Sequence, residues 1–385
     1  MNITIQPSNP PRTTLTGDKT DSADVCRARL LLIGAAALYG TNFSLVKLLG
    51  DTMPVGISTT FRFGLAALAM SPFLFRKTTS KSFYQNTGTS ICQAASNSDD
   101  SYTWKVLWLG FEVGLWNSIG YLTQAVGLET TLACKSAFIC SMAVIVVPLL
   151  DYMTGGKLIL RQWVGAIMAL VGVAFLELGG ANEGGLMISA GDAFSLVQPF
   201  VFGIGFWKME KAMHKYPTEA PCLTAAQLLA VFFSSVVCAL WTLTDGGNFR
   251  SLSTALAALP LKEWLTDPAI SFSIFWTGCI TTALTVYMET LALETLSAAE
   301  TTLIFSTEPL WGTAFAVIVM GEQLQLNAGF GAAFILSACL YSNLGLDGLK
   351  DVINVHRSKM VIPSAPVPAC NLDLEDQLNH QPKID

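Results

Sequence analysis

Charge is scarce in this sequence. Asp, Glu, Lys and Arg make up 13% of its 385 residues, hydrophobic residues make up 52%, and mean hydropathy is +0.49. Too little polar surface remains to cover a soluble globule of this length, so a lipid bilayer is the expected solvent. Histidine is scarcer still, with His214, His356 and His380 all in loops or the tail, which argues against haem, zinc chemistry and a histidine-based hydrolase. The nine cysteines contain no CxxC and lie mostly inside apolar runs. A disulfide scaffold or a metal cluster needs closer or loop-placed spacing, so these cysteines read as small core residues and no cofactor is expected. No basic stripe with interleaved aromatics appears, and the formal charge is −6, so nucleic acid is not an expected partner. A signal-peptide pattern is also missing before the first apolar run, which is therefore expected to direct insertion itself.

What the chain has in abundance is apolar segments of one length. They lie near 30–50, 55–75, 106–126, 131–151, 161–179, 191–208, 219–243, 270–292, 297–320 and 325–345. Each approaches the ~20 residues that cross a ~30 Å hydrocarbon core as a helix. An internal echo accompanies them. Glu294, Thr295, Ala298, Ile304, Ser306 and Gly321 repeat Glu129, Thr130, Ala133, Ile139, Ser141 and Gly156 at an offset of 165. Duplication within a multi-span chain is the build of secondary transporters.

Lysine and arginine set the orientation. With the amino terminus in the cytoplasm, 17 of the 22 fall in inside segments, and the outside loops keep only Arg250 and Lys262. That bias predicts both termini on the cytoplasmic side of a plasma or organelle membrane. Five spans per half then force the halves into opposite orientations. The expected fold is all-α integral membrane, ten transmembrane helices in two inverted five-helix repeats. The repeats are placed at 30–179 and 191–345. Polar, proline- and acid-rich composition assigns disorder to the tails 1–29 and 346–385 and to a loop at 78–103.

Three stretches carry a family resemblance: IGAAALYGTNFSLVKLL at 33–49, ISTTFRFGLAALA at 57–69 and YMETLALETLSAAETTLIFSTEPLWGTAFAVIVMGE at 287–322. The chain resembles the drug/metabolite transporter superfamily, with tandem EamA-like domains over roughly 30–345. In the second half Glu308-Pro309 and Gly321-Glu322 stand at the spacing of that pattern. The first half departs from it, with Pro148 displaced by four positions and Lys157 at the counterpart of Glu322. The resemblance implies ten helices and carriage of a small organic solute.

Polar residues inside the apolar runs are the site candidates, because an ionisable group in lipid costs several kcal/mol unless it faces the bundle interior. Arg62 lies roughly 10 Å into the second segment, too deep for easy snorkelling, whereas Lys47 is close enough to an interface to snorkel. Lys135 and Glu300 are counterparts under the 165 offset, either gates at opposite mouths or groups reaching interfacial water. Glu308 precedes Pro309, which removes a helix hydrogen bond and frees a carbonyl; a structural kink is the plainer alternative. Asn42, Glu112, Asn117, Gln124, Gln198 beside Pro199, and Glu289 complete the polar set. Asn117 and Gln124 share a helical face, although interhelical bonding explains such amides as readily as ligand binding. Trp116, Trp207 and Trp311 are candidates for stacking on a planar solute, with interface anchoring the alternative for Trp207. Gly110 and Gly114 have the spacing of a helix-packing motif.

These observations predict a secondary carrier working by alternating access. Glu112, Glu289 and Glu308 make proton coupling an option, and the cluster Lys47, Arg62 and Lys135 favours an anionic solute. An exchanger of nucleotide sugars or sugar phosphates is the alternative within the same superfamily. A membrane-embedded enzyme would need a catalytic constellation that the apolar segments lack, so none is expected. A channel would predict a pore-lining ring, and a receptor an appended signalling domain.

Overall fold

The computed structural model describes residues 19–75, 99–128, 136, 139–156, 159–178, 190–244, 252–320 and 329–342. The described secondary structure is entirely helical. The helices are α1 (Lys19–Thr52), α2 (Val55–Met70), α3 (Asp99–Leu128), α4 (Ala143–Met153) and α5 (Leu160–Leu178). They continue with α6 (Ala190–Ser195), α7 (Val197–Lys215), α8 (Ala220–Leu243), α9 (Leu252–Ala257), α10 (Leu261–Thr266) and α11 (Pro268–Phe275). A π-helical stretch, Trp276–Leu284, joins α11 to α12 (Thr285–Ala292). Last come α13 (Ala298–Phe305), α14 (Glu308–Met320) and α15 (Gly329–Ser342).

Two continuous helical stretches, Pro217–Leu243 and Pro268–Ala292, are by themselves long and apolar enough to cross a bilayer. The polar interruptions read from the sequence are breaks in helices. The segment 297–320 divides between α13 and α14 at Ser306 and Thr307, where Pro309 offers no N–H to the Phe305 carbonyl one turn back. The segment 191–208 divides at Leu196, just ahead of Gln198 and Pro199. At the other extreme, α1 begins at Lys19, eleven residues ahead of the apolar run, and α3 begins at Asp99 inside the polar loop. A helix already nucleated by a long buried stretch extends into polar flanks at little cost. The rest of the expected disordered tails and loop, at 1–18, 78–98 and 346–385, lies outside the described residues.

Helix α3 packs closely on α8. A Cβ on Gly110 would fall on the Leu223 carbonyl and one on Gly114 on the Gln227 carbonyl, so only glycine lets the two backbones approach this far. One apolar cluster, with Val106, Met209, Leu223, Leu293 and Ala298 at its centre, ties α3, α7, α8 and the α12–α13 turn together. A second cluster of Ala28, Leu32, Ala292, Leu296 and Ile304 holds the start of α1 to the same turn. A third, of Leu49, Met53, Ile57, Trp264, Ile270 and Ile274, closes the far end of α1 against α2, α10 and α11. Between these closures the bundle interior turns polar.

Candidate functional site

A cavity of about 120 Å³ lies between α1, α2, α3, α4, α7, α12, α13 and α14. Its polar lining includes Asn42 and Tyr39 from α1, Arg62 from α2, Asn117, Tyr121 and Gln124 from α3, Glu289 from α12, and Ser306 and Glu308 at the break between α13 and α14. Phe202, Phe206 and Phe305 supply apolar walls. Tyr39 lies edge-on to Phe305, their ring centres 5.6 Å apart, and Phe206 follows at 5.7 Å from Phe305, so one aromatic row crosses from α1 to α7.

Arg62, Asn42, Tyr39 and Glu289 are each held by a neighbour from another helix. Arg62 is buried, and its Nε donates to Thr282 Oγ1 at 2.9 Å while its guanidinium carbon lies 5.0 Å and 5.7 Å from the ring centres of Phe63 and Tyr121. Thr281, the adjacent residue, donates its hydroxyl to Asn42 Oδ1 at 2.8 Å. Tyr39 donates to Glu289 Oε2 at 3.4 Å. Beside Asn117, Gly205 of α7 has no room for a side chain, since the Asn117 amide occupies the place of a Cβ. The arrangement combines a fixed cation, two carboxylates, three amides and aromatic faces within one small volume, the composition that orients a small molecule with both polar and apolar parts.

Of the residues singled out from the sequence, Asn42, Arg62, Asn117, Gln124, Glu289 and Glu308 line this cavity together. Four others do not. Gln198 is fully buried beside α4 and donates its amide to Ser136 Oγ at 3.2 Å. Glu300 accepts from Arg29 Nε at 2.8 Å, away from the cavity at the end of the bundle where α1 starts. Trp311 is 39% exposed on α14 and does not line the cavity. Lys135, the expected counterpart of Glu300 across the duplication, lies outside the described residues, as do Glu129, Lys157, Gly321, Glu322 and the side chain of Lys47. Glu112 accepts from Lys208 at 2.7 Å. Trp207 donates to Asp151 Oδ1 at 3.3 Å and carries Lys211 Nζ 3.3 Å over its ring, the setting of an anchor rather than of a cavity wall.

Sequence reading missed Tyr39, Tyr121, Thr281 and Thr282. A signal existed for Tyr121, which stands one turn after Asn117 and nearly one before Gln124, on the face those amides share. Thr281 and Thr282 carried no such signal, because threonine inside a membrane helix ordinarily bonds its own backbone.

A helical bundle in a strongly hydrophobic chain, enclosing a polar cavity lined from many helices, is the build of a membrane transport protein. The sequence profile of the EamA-like transporter family matches residues 27–178 and again 189–344, and the chain belongs to that family. It is thus an integral membrane protein of the drug/metabolite transporter superfamily. It is 25% identical over 319 residues to a protein of Archaeoglobus fulgidus described as an uncharacterized transporter, an alignment spanning 82% of this chain and 86% of that one. In fold it is similar to a crystal structure of another protein, with a TM-score of 0.59 at 15% identity over 84% of this chain and 98% of the other. The family and the archaeal relative are transporters, not enzymes.

Proposed function

We propose that this protein is a secondary carrier that moves a small organic solute bearing an anionic group, in exchange or together with a proton, by alternating access of two inverted five-helix halves. Ten spans place both termini on the cytoplasmic side, and Lys135 and Glu300 stand at opposite mouths. The solute sits in the cavity bounded by Asn42, Arg62, Asn117, Gln124, Glu289 and Glu308. The observation that carries this reading is the convergence of one buried arginine and two glutamates, drawn from α2, α12 and α14, on a single volume of about 120 Å³. Arg62 takes the anionic end, the amides fix orientation, and the row Tyr39, Phe305 and Phe206 covers the apolar body. Glu308, set at a helix break, is the proton-exchanging carboxylate. Of the alternative solutes, a nucleotide sugar is disfavoured by charge, since its two phosphates would meet one cation among the described lining residues, whereas a sugar phosphate remains compatible with it.

Uptake of a metabolite panel into proteoliposomes, with and without a pH gradient, tests the proposal. The expected result is saturable uptake of at least one small anionic metabolite with counterflow, accelerated by the gradient. Uptake that does not saturate, or that shows no counterflow, overturns the carrier reading in favour of a channel. Tags at residue 10 and residue 375 test the topology, and their appearance on opposite sides of the membrane would remove the inverted repeat.

A further inference from the structure

Arg62 is the only cation lining the cavity among the described residues, and its guanidinium is fixed from three directions. Two are the ring faces of Phe63 and Tyr121. The third is Thr282, whose buried hydroxyl receives the Nε proton at 2.9 Å. A guanidinium is a rigid planar fork with five N–H donors. Bonding at Nε spends one edge of that fork and leaves the two terminal nitrogens as the edge that matches a carboxylate in two parallel bonds. Thr282 owes its position to the π-helical stretch Trp276–Leu284, where bonding from i to i+5 widens the turn. Within it two consecutive hydroxyls reach two different helices, Thr281 to Asn42 on α1 and Thr282 to Arg62 on α2. Both threonines are fully buried.

We propose that Thr282 is a positioning residue for solute recognition: it holds Arg62 by Nε so that the terminal nitrogens grip a carboxylate, which makes a carboxylate the recognised end of the solute. The inference rests on the reading of this cavity as the solute site. A threonine that merely packs the helix would serve charged and neutral ligands alike. A threonine that aims the arginine matters to the carboxylate alone.

Calorimetry on the full-length protein in lipid nanodiscs separates the two. The probes are acetate, butyrate, phenylacetate and benzoate, each measured beside its neutral amide. Wild-type protein is expected to bind at least one carboxylate more tightly than the matching amide. Thr282→Val should weaken that carboxylate about ten-fold, the size of one hydrogen bond to a charged group, and leave the amide unchanged. Thr282→Ser, which keeps the hydroxyl, should restore the preference. Thr281→Val should weaken carboxylate and amide equally. Thr282→Ala, smaller and without risk of crowding, stands in should the valine variant misfold. An undiminished carboxylate preference in Thr282→Val and Thr282→Ala overturns the positioning role and leaves the cavity reading intact. If the wild type prefers none of the carboxylates over its amide, Arg62 is not an anion site, and the cavity reading falls together with the role of Thr282.

Discussion

Charges in this bundle are held in two ways, and the two regions that hold them differ in burial. At the end where α1 starts, Arg29 meets Glu300 at 2.8 Å with side chains 33% and 22% exposed, and Lys208 meets Glu112 at 2.7 Å with side chains 29% and 37% exposed. In the middle, Arg62 is 6% exposed and rests on a threonine hydroxyl and two aromatic rings. The partly exposed pairs resemble surface salt bridges, in which hydration of each ion nearly offsets their attraction and little net stability results. A buried arginine has lost its hydration, so the groups around it determine both its cost and its usefulness. The end pairs should therefore matter little to binding, and the central group should matter greatly.

The largest expected effect tests that contrast at its centre. Arg62→Met should lower initial uptake into proteoliposomes on the order of a hundred-fold, the loss of a two-bond grip on an anionic group, at unchanged yield of folded protein. If uptake persists at the wild-type rate, the central arginine is structural and the contrast between the regions fails.

Glu308→Gln comes next. A neutral amide imitates the protonated acid without releasing a proton, so uptake driven by a pH gradient should fall roughly ten-fold or more while solute exchange continues. Equal loss of both modes would make Glu308 a binding or structural group and remove it from proton exchange.

Packing between the two regions has an effect of intermediate size. Gly114→Val would drive a side chain into the Gln227 carbonyl and should lower thermal stability by about 1–3 kcal/mol, read as an earlier unfolding transition in detergent. An unchanged transition would mean that α3 and α8 do not approach as closely as the structure places them.

The smallest effect belongs to the end of the bundle. Glu300→Gln should cost no more than about 1 kcal/mol of stability and leave solute affinity unchanged, with the difference shrinking as salt is added. A large loss of affinity would sharpen the comparison in an unexpected direction, by making the Arg29–Glu300 pair part of the recognition step.

Several features were legible along the chain. The depth of Arg62 in its apolar run marked it as interior, and the spacing of Asn117 and Gln124 placed them on one face; both follow from helix geometry alone. Pro309 announced the break between α13 and α14, because a missing N–H acts on the turn that contains it. Gln198 beside Pro199 gave the same kind of signal, yet its amide is turned to Ser136 and away from the cavity. Trp311, within one turn of Glu308, is partly exposed and does not reach the cavity. A sequence shows that such residues interrupt an apolar run, but which way they face depends on how the helix is rotated against its neighbours.

By itself, then, the sequence determined what is local and additive: a helical chain for a bilayer, its breaks at proline, and a short list of polar groups too costly to face lipid. Hydropathy and helix periodicity are sums over neighbouring residues, so no partner need be known to read them. Only the tertiary structure decided which of those groups meet. It set Arg62 and Thr282, 220 positions apart, within 2.9 Å and brought Tyr39 to Glu289 from 250 positions away. Such meetings depend on how closely two helices can approach and at what rotation, which is settled by side-chain packing such as that of α3 on α8 at Gly110 and Gly114.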